Sequence, residues 1–269
     1  IYTSPDLKEW ELQSKIPGYF ECPELFQLPV DGDSKKTKWV IFGADAQYAI
    51  GAFDGKKFTP DHEGKHRVHW GNFYASQCFS NPPDDRVIQM GWARGVEMPG
   101  MPFNQTFTVP ANLTLRSTDD GVRMFASPIK ELERLRKPDP KTIKTTQLTA
   151  QSPATAVDVE GQLFDVLVTL KKGTASKAVL QFGEDKATYD FHAEKLDEMP
   201  LKMQDGKVTL RVLMDRPMYE LVGGGGACYK TSNRSDKGEP IGTVSLTAKD
   251  GSLVVESFKV YQMRSIWKK

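Results

Sequence analysis

The chain has 269 residues, which is enough for two domains, and its hydrophobic fraction of 39% and aromatic fraction of 10% suffice for packed cores, so global disorder is excluded. A net charge of +1 provides no positive field for nucleic acid or anionic membranes, and no apolar run approaches the length of a transmembrane helix. The three cysteines, Cys22, Cys78 and Cys228, have no Cys-x-x-Cys spacing, so they indicate neither a disulfide framework nor a metal site.

Short apolar segments separated by turns make up the first half of the chain. Residues 38–42 form a predicted strand, and residues 86–92 alternate in the manner of a half-buried strand. Residues 113–116 lead through the turn Asp119-Asp120-Gly121 to a returning strand at 122–126. This rhythm predicts blades of antiparallel strands.

A linker between two domains is predicted near residue 137. Residues 129–136 carry apolar side chains at helix-like spacing, and Pro138 and Pro140 end any helix because proline disfavours helical continuation. We therefore place the domain boundary there, with a first domain over residues 1–137 and a second over residues 138–269.

The second half of the chain again has β character. Turn pairs such as Asp205-Gly206 and Asp250-Gly251 separate its apolar runs, which is typical of a β-sandwich. The predicted strands are 164–170, 178–182, 208–214, 243–247 and 253–260. The sequence therefore predicts an all-β protein.

Two features of this second half have competing interpretations. The run Gly223–Gly226 suggests a phosphate-binding loop, but no Lys-Ser/Thr pair and helix follow it, which favours a tight loop. Glu220 could contact a long substrate, but a structural salt bridge is the favoured interpretation because buried charges are normally paired.

Glu21, Cys22 and Pro23 stand directly before the apolar run 25–28. A carboxylic acid enclosed by apolar groups has its charged form desolvated, which raises its pKa until it can donate a proton near neutral pH. Glycoside hydrolysis needs such an acid to protonate the leaving oxygen. The tripeptide alone does not distinguish this acid from a solvent-facing glutamate beside a strand.

The context of Glu21 adds a family resemblance. The motifs are, in chain order, Phe20-Glu21-Cys22-Pro23-Glu24-Leu25-Phe26, Ile50-Gly51-Ala52-Phe53-Asp54-Gly55, Phe73-Tyr74-Ala75-Ser76-Gln77-Cys78-Phe79, Ile88-Gln89-Met90-Gly91-Trp92-Ala93-Arg94, Pro102-Phe103-Asn104-Gln105, Pro110-Ala111-Asn112-Leu113-Thr114-Leu115 and Tyr261-Gln262-Met263-Arg264-Ser265-Ile266-Trp267. Their order and spacing resemble glycoside hydrolase family 32, the levanases, inulinases and invertases. The resemblance implies a five-bladed β-propeller followed by a β-sandwich, and a retaining β-fructosidase site in the propeller funnel. It also implies a fructan or sucrose-like carbohydrate as the ligand, with no metal or organic cofactor.

The resemblance assigns roles to four residues. Glu21 matches the acid/base glutamate of the family. The counterpart of Cys22 lines the fructose pocket, although a free cysteine commonly packs as a small hydrophobe, and both interpretations stay open. Tyr74 and Trp92 match subsite aromatics that would contact the apolar face of a furanose, whereas aromatics in strands otherwise belong to the core.

The chain also departs from the family pattern. The family's nucleophile, in an Asn-Asp-Pro-type motif, and its second aspartate, in an Arg-Asp-Pro motif, have no counterpart here. Asp45 and Glu97 are other acids near the expected funnel, but neither has the flanking sequence of the nucleophile. We therefore expect the chain to be the C-terminal part of a longer enzyme, without the first propeller blades and inactive alone. Its location is not assigned, although an extracellular or periplasmic one is compatible with the resemblance.

Further alternatives arise from these departures. Without the nucleophile, the chain could be a non-catalytic carbohydrate-binding or interaction module on the same scaffold. The strand edges of a partial propeller would favour association with a preceding segment or with another chain. Asn72 and the pair Asn104-Gln105 replace residues of the family pattern, which leaves the leaving-group preference open, and His69 is given no catalytic role.

Overall fold

The computed structural model describes residues 1–267 of the chain. Its first thirteen strands are β1 (Tyr2–Thr3), β2 (Glu11–Leu12), β3 (Glu24–Val30), β4 (Asp33–Phe42), β5 (Gln47–Phe53), β6 (Phe58–Pro60), β7 (His66–Arg67), β8 (His69–Gly71), β9 (Phe73–Cys78), β10 (Val87–Ala93), β11 (Thr106–Phe107), β12 (Ala111–Thr118) and β13 (Gly121–Pro128). Two short 3₁₀ helices span Pro83–Asp85 and Lys130–Leu135 among these residues. No helix within residues 1–267 is long and apolar enough to cross a membrane.

The remaining strands come after the second 3₁₀ helix. They are β14 (Lys141–Ile143), β15 (Thr146–Thr149), β16 (Thr155–Gly161), β17 (Leu163–Lys171), β18 (Lys177–Phe182), β19 (Asp185–Asp190), β20 (Lys195–Leu196), β21 (Met199–Pro200), β22 (Lys207–Asp215), β23 (Met218–Gly223), β24 (Cys228–Asn233), β25 (Ile241–Lys249) and β26 (Ser252–Gln262). The predicted all-β fold is confirmed.

Most strands of the N-terminal part of the molecule, residues 1–128, form antiparallel groups that join into one sheet, while β1 and β2 pair only with each other. These groups are β3–β4–β5–β6, β9–β10–β11 and β12–β13, and β12 connects them by pairing with both β10 and β3. On β12 the apolar Ala111, Leu113 and Leu115 are buried, and polar side chains alternate with them. Side chains of a strand point alternately to its two faces, so this spacing places one face in the core.

The C-terminal part, residues 141–262, consists of two sheets around a single hydrophobic core. One sheet has the order β14–β26–β17–β22–β23–β24, with β15 also on β26, and the other has the order β16–β25–β18–β19–β20–β21. Alternate residues of β17, β18 and β25 supply the shared core, including Phe164, Leu180, Phe182 and Leu246. Two sheets that face each other across alternating apolar residues form a sandwich.

One strand from the N-terminal part belongs to the C-terminal sheet. Strand β8 pairs in parallel with β24, with His69 opposite Tyr229 and Gly71 opposite Thr231. A buried ion cluster lies further along the boundary, where Arg136 of the linker and Arg211 of β22 each contact the fully buried Asp165 at 2.8 Å. The two parts are therefore joined by backbone hydrogen bonds and by charge pairing.

The structure corrects one prediction and refines two others. Glu220 is fully buried but forms no salt bridge within residues 1–267; it accepts hydrogen bonds from the Tyr229 hydroxyl and from the backbone N–H of Val109 at 3.0 Å. The salt-bridge prediction for Glu220 was wrong because neutral donors occupy both carboxylate oxygens. The glycine run is a tight loop between β23 and β24, as predicted, and a Cβ on Gly226 would lie 2.5 Å from the Ala126 carbonyl oxygen. The helical spacing at 129–136 produces only the six-residue 3₁₀ helix.

Candidate active site

Glu21 lies in the loop that enters β3 and is tied to its neighbours by backbone hydrogen bonds. The N–H of Ala44 donates to the Glu21 carbonyl at 3.0 Å, and the N–H of Ala75 donates to the Ala44 carbonyl at 3.0 Å. Cys22 adopts a left-handed backbone with φ +43°, which turns the chain sharply between Glu21 and Pro23. These contacts bring the Glu21 loop, the loop after β4 and strand β9 to one place.

The carboxylate of Glu21 has a side-chain partner on β9. The hydroxyl of Tyr74 donates a hydrogen bond to Glu21 Oε2. This bond raises the pKa of Tyr74 above its usual value, because a phenol that donates to a carboxylate resists losing its proton. Glu21 itself is exposed, so the apolar enclosure that we expected around it is not formed by residues 1–267.

Tyr74 and Trp92 form an aromatic pair beside Glu21. They are opposite each other in the pairing of β9 with β10, with ring centroids 6.2 Å apart and planes at 67°. Trp92 is 37% exposed, which is more than a core aromatic would be. On its other side Trp92 is opposite the exposed Phe107 of β11. The pair therefore presents an apolar surface to solvent next to a carboxylate.

Arg94 completes this group and was not assigned a role from the sequence. Its guanidinium lies 4.4 Å from the centre of the Tyr74 ring. Arg94 directly follows the last residue of β10 and is two positions after Trp92, and side chains two apart along extended backbone share a face. Because the sequence analysis had already placed Trp92 at the site, this alternation could have identified Arg94 as a site residue from the sequence.

The residues that depart from the family pattern shape the loop after Arg94. The Asn72 side-chain amide donates to the Arg94 carbonyl at 2.7 Å. The side-chain oxygens of Gln105 and Asn104 accept the N–H groups of Gly95 and Met98, each at 3.0 Å. These polar side chains therefore satisfy backbone groups of the loop that carries Arg94.

The other candidates lie in different surroundings. Cys22 is exposed and has no disulfide partner within the described residues. His69 is buried and stacks on Phe73 with ring centroids 3.8 Å apart, and burial lowers its pKa to about 3. It is therefore neutral at ordinary pH and unsuited to proton exchange with a ligand in solvent.

The two alternative carboxylates are engaged elsewhere. Asp45 accepts hydrogen bonds from the backbone and side chain of Gln47. Glu97 forms an ion pair with Lys237 at 3.5 Å, on the side facing the C-terminal part. Among residues 1–267, no cluster of three His, Cys, Asp or Glu side chains has the arrangement of a metal site.

Comparison with known proteins gives this arrangement a family context. Residues 1–128, which contain Glu21, Tyr74, Trp92 and Arg94, match the family model described as the glycosyl hydrolases family 32 N-terminal domain. The family predicted from the motif order is therefore confirmed for this part of the chain.

Curated relatives extend the similarity to the whole chain. It is 29% identical over 325 residues to a levanase from Bacillus subtilis (strain 168), covering 99% of this chain and 47% of the levanase. It is 28% identical over 290 residues to an extracellular exo-inulinase from Aspergillus niger, covering 86% of this chain and 54% of that protein. The chain thus spans about half the length of these curated relatives.

Solved structures agree on the fold. An exo-inulinase from Aspergillus awamori superimposes with a TM-score of 0.82 at 23% identity, covering 99% of this chain and 62% of that one. A β-fructofuranosidase from Schwanniomyces occidentalis complexed with fructosyl-erythritol has a TM-score of 0.80 at 20% identity, covering 98% and 64%. The fold predicted from the resemblance, part of a β-propeller followed by a β-sandwich, is confirmed. The boundary at residues 137 and 138 stays a prediction.

Proposed function

We propose that this chain carries the acid/base half of a retaining β-fructosidase site, with Glu21 as the proton donor. The supporting observation is an exposed carboxylate held by a tyrosine hydroxyl beside the solvent-facing ring of Trp92. The relatives named levanase, exo-inulinase and β-fructofuranosidase support the substrate class, a fructan or a sucrose-like carbohydrate.

In the proposed reaction, protonated Glu21 gives its proton to the glycosidic oxygen as the bond to the anomeric carbon breaks. A second carboxylate, placed ~5 Å away in retaining enzymes, attacks that carbon and forms a glycosyl–enzyme ester. Glu21 then removes a proton from water, which attacks the same carbon and releases both fructose and the second carboxylate. Tyr74 donates to only one oxygen of Glu21, and the other is available to the substrate.

The aromatic pair provides the sugar-binding surface in this proposal. The ring of Trp92 offers an apolar face to the C–H groups of a furanose, while Arg94 and Glu21 offer hydrogen bonds to its hydroxyls. Cys22, exposed next to Glu21, would line the same pocket. Carbohydrate sites commonly combine such an apolar surface with a few polar groups.

The attacking carboxylate is the part that we do not assign to residues 1–267. Asp45 bonds to Gln47 and Glu97 pairs with Lys237, so neither is proposed as the nucleophile. We therefore expect the 269-residue chain to bind short β-fructo-oligosaccharides without cleaving them. Binding without cleavage is also what a non-catalytic carbohydrate-binding module would show.

The experiment compares this chain with the protein expressed from its complete reading frame. Each is incubated overnight with sucrose, inulin and levan, and fructose is measured, with Glu21→Ala as the contamination control. We expect release by the complete protein and none by the 269-residue chain. A complete protein that leaves all three substrates intact would remove the fructosidase proposal and leave the binding module. Fructose release by the short chain that disappears in Glu21→Ala would show that it contains a nucleophile.

We also infer that the chain associates through the open edge of its N-terminal sheet. Strand β11 is at one end of that sheet, and its Phe107 is 69% exposed. The opposite edge, β6, ends in Pro60, which cannot donate to an added strand. Light scattering over a range of concentrations should show self-association that Phe107→Lys reduces. A strictly monomeric protein at high concentration would contradict this inference.

A further inference from the structure

A cleft of about 760 Å³ separates the β12–β13 hairpin of the N-terminal part from residues 193–205 of the C-terminal part. This volume is in the range of small-molecule sites. Its lining does not include Glu21, Cys22, Tyr74 or Trp92. The cleft is therefore separate from the candidate active site, and a ligand could bind there whether or not the proposed function is correct.

Two arginines meet on one wall of this cleft. Arg116 and Arg123 are directly opposite each other in the pairing of β12 with β13. Like charges directly opposite in a sheet destabilise it, so the pair has a cost to folding. The Arg116 guanidinium lies 4.4 Å from the centre of the Phe125 ring, which helps to fix its position.

A third arginine and a histidine also line the cleft on the side of Arg116 and Arg123. Arg67 and His66 form β7, and the His66 ring packs against Tyr48 with centroids 5.5 Å apart. His66 and Arg123 both line the cleft, and the pKa of His66 is lowered by burial and by the charge of Arg123. The cationic wall of the cleft thus consists of Arg67, Arg116 and Arg123, and His66 lines the cleft with them.

The three guanidiniums are almost unused by the protein. None of the three forms an ion pair within residues 1–267. The arginines that do form ion pairs there lie at other positions in the chain. Each guanidinium has five N–H donors. Among the described residues, these three guanidiniums donate one hydrogen bond, from Arg123 Nη1 to the Val122 carbonyl at 2.9 Å. The remaining donors are free to hold a ligand.

The direct contacts of the acidic residues in the cleft are mainly with Lys202. Asp120 bonds to Lys202 at 2.6 Å across the cleft mouth, and Glu194 accepts the Met203 N–H at 3.4 Å. The pKa of Lys202 is raised first by Asp120, and the charges of Asp119 and Glu194 add to this. Asp205 is exposed at the rim. Asp119 and Asp120 lie at the tip of the hairpin that carries Arg116 and Arg123, and the charge of Arg123 also helps to lower the pKa of Asp120. The direct bonds of Asp120 nevertheless go to Lys202, and the three arginines form no ion pair within residues 1–267.

We propose that this cationic wall binds an oxyanion of the phosphate or sulfate type, either free or carried as an ester on a sugar. Guanidinium forks match the oxygens of such groups with paired, charge-assisted hydrogen bonds. A bound oxyanion would also remove the repulsion between Arg116 and Arg123. The cleft leaves room for a sugar unit beside the anionic group.

Isothermal titration calorimetry of the 269-residue chain at constant ionic strength tests the site. The probes are inorganic phosphate, fructose 6-phosphate and fructose. We expect both phosphates to bind in a way that depends on Arg116 and Arg123, whereas fructose binding at the candidate active site should be weaker and independent of them. Tighter binding of fructose 6-phosphate than of inorganic phosphate, lost with the arginines, would identify a sugar ester as the preferred source. The double substitution Arg116→Gln with Arg123→Gln should weaken phosphate binding at least tenfold, since paired hydrogen bonds from charged donors are lost.

Two further variants keep the result interpretable. The control Arg134→Gln with Lys249→Gln removes the same charge from exposed positions outside the cleft and should bind phosphate normally. If the arginine-to-glutamine double variant does not fold, Arg116→Lys with Arg123→Lys preserves the charge but not the fork, and should still weaken binding. The proposal is overturned by absent phosphate binding, by binding that both arginine variants retain, or by fructose that binds as tightly as its phosphate.

Discussion

Two glutamate–tyrosine hydrogen bonds occupy opposite environments in this molecule. Glu21 and Tyr74 meet at the exposed candidate site of the N-terminal part, whereas Glu220 and Tyr229 are fully buried on neighbouring strands β23 and β24. The chemical groups are the same, so the surroundings decide what each pair can do.

The buried pair has its bonding capacity used within the protein. Besides Tyr229, the Glu220 carboxylate accepts the Val109 N–H at 3.0 Å and the Thr231 hydroxyl at 3.4 Å. Burial raises the pKa of Glu220 to about 7. Glu21, by contrast, accepts a hydrogen bond at one oxygen, and its other oxygen has no protein donor within residues 1–267. A raised pKa at Glu220 therefore marks a structural carboxyl group, while the carboxylate suited to a ligand is the exposed one.

The largest expected effect is on activity at the exposed pair. In an active protein containing this chain, Glu21→Gln should lower kcat by roughly 10²–10⁴-fold, because the proton donor is lost. A substrate with a good leaving group needs less protonation and should lose less. Steady-state kinetics with sucrose and with an aryl fructoside provides the measurement. Equal losses on both substrates would contradict the role of Glu21 as the acid.

The next effect is the pH dependence of stability at the buried pair. The pKa of Glu220 is raised from 4.5 to about 7 in the folded protein, so the folded state holds this proton more tightly. The stabilisation from Glu220 is therefore complete below about pH 4.5 and is lost as the pH rises to about 7, amounting to about 3 kcal/mol.

His69 acts in the opposite direction, because its pKa falls from 6.5 to about 3 and its contribution grows as the pH rises through that window. The measurement is therefore a difference: urea unfolding of the wild type and of Glu220→Gln between about pH 4 and 8. We expect the advantage of the wild type to shrink with rising pH. A constant difference would show that Glu220 titrates alike in the folded and unfolded states.

A matched pair of substitutions tests the comparison directly. Tyr229→Phe leaves a buried carboxyl group without one of its donors and should cost about 1–3 kcal/mol of unfolding free energy. Tyr74→Phe removes the same bond where water can replace it, and the melting temperature should not change measurably. Differential scanning calorimetry of both variants decides this, and equal destabilisation would mean that exposure does not distinguish the two pairs.

The last expected effect concerns ligand binding at Trp92. Because this ring is 37% exposed, Trp92→Ala should change the unfolding free energy by no more than about 1–2 kcal/mol while weakening the binding of β-fructo-oligosaccharides. Binding is measured by calorimetry, with Trp39→Phe, at a position away from the site, as the control. A loss nearer ~3–5 kcal/mol would indicate a core role for the ring.

The sequence predicted the elements whose cause is local. Alternation at residues 86–92 predicted a half-buried strand because the side-chain period of a strand is two, and β10 spans Val87–Ala93. The turn at Asp119–Gly121 and the tight glycine loop were predictable from backbone freedom at glycine. Glu21 was found through its motif context, not through any property of the carboxyl group.

Other features depend on contacts between distant segments and left no local signal. The residue type of Glu220 suggested an ion pair, but none is formed among residues 1–267, because its donors come from β24 and from the backbone of Val109. The exposure of Glu21 depends on how the loops around β3, β4 and β9 meet. Arg94 is the exception, since strand alternation after Trp92 would have placed it at the site.

The pairing of β8 with β24 limits how this chain can be recombined with its relatives. A chimera made by exchanging everything after Pro138 would give residues 69–71 a foreign edge strand, and Gly71 tolerates no Cβ there because one would lie 2.1 Å from the Thr231 carbonyl oxygen. The exchangeable module is thus not a contiguous stretch of sequence. A functional graft has to carry the short strand at 69–71 together with its partner at 228–233.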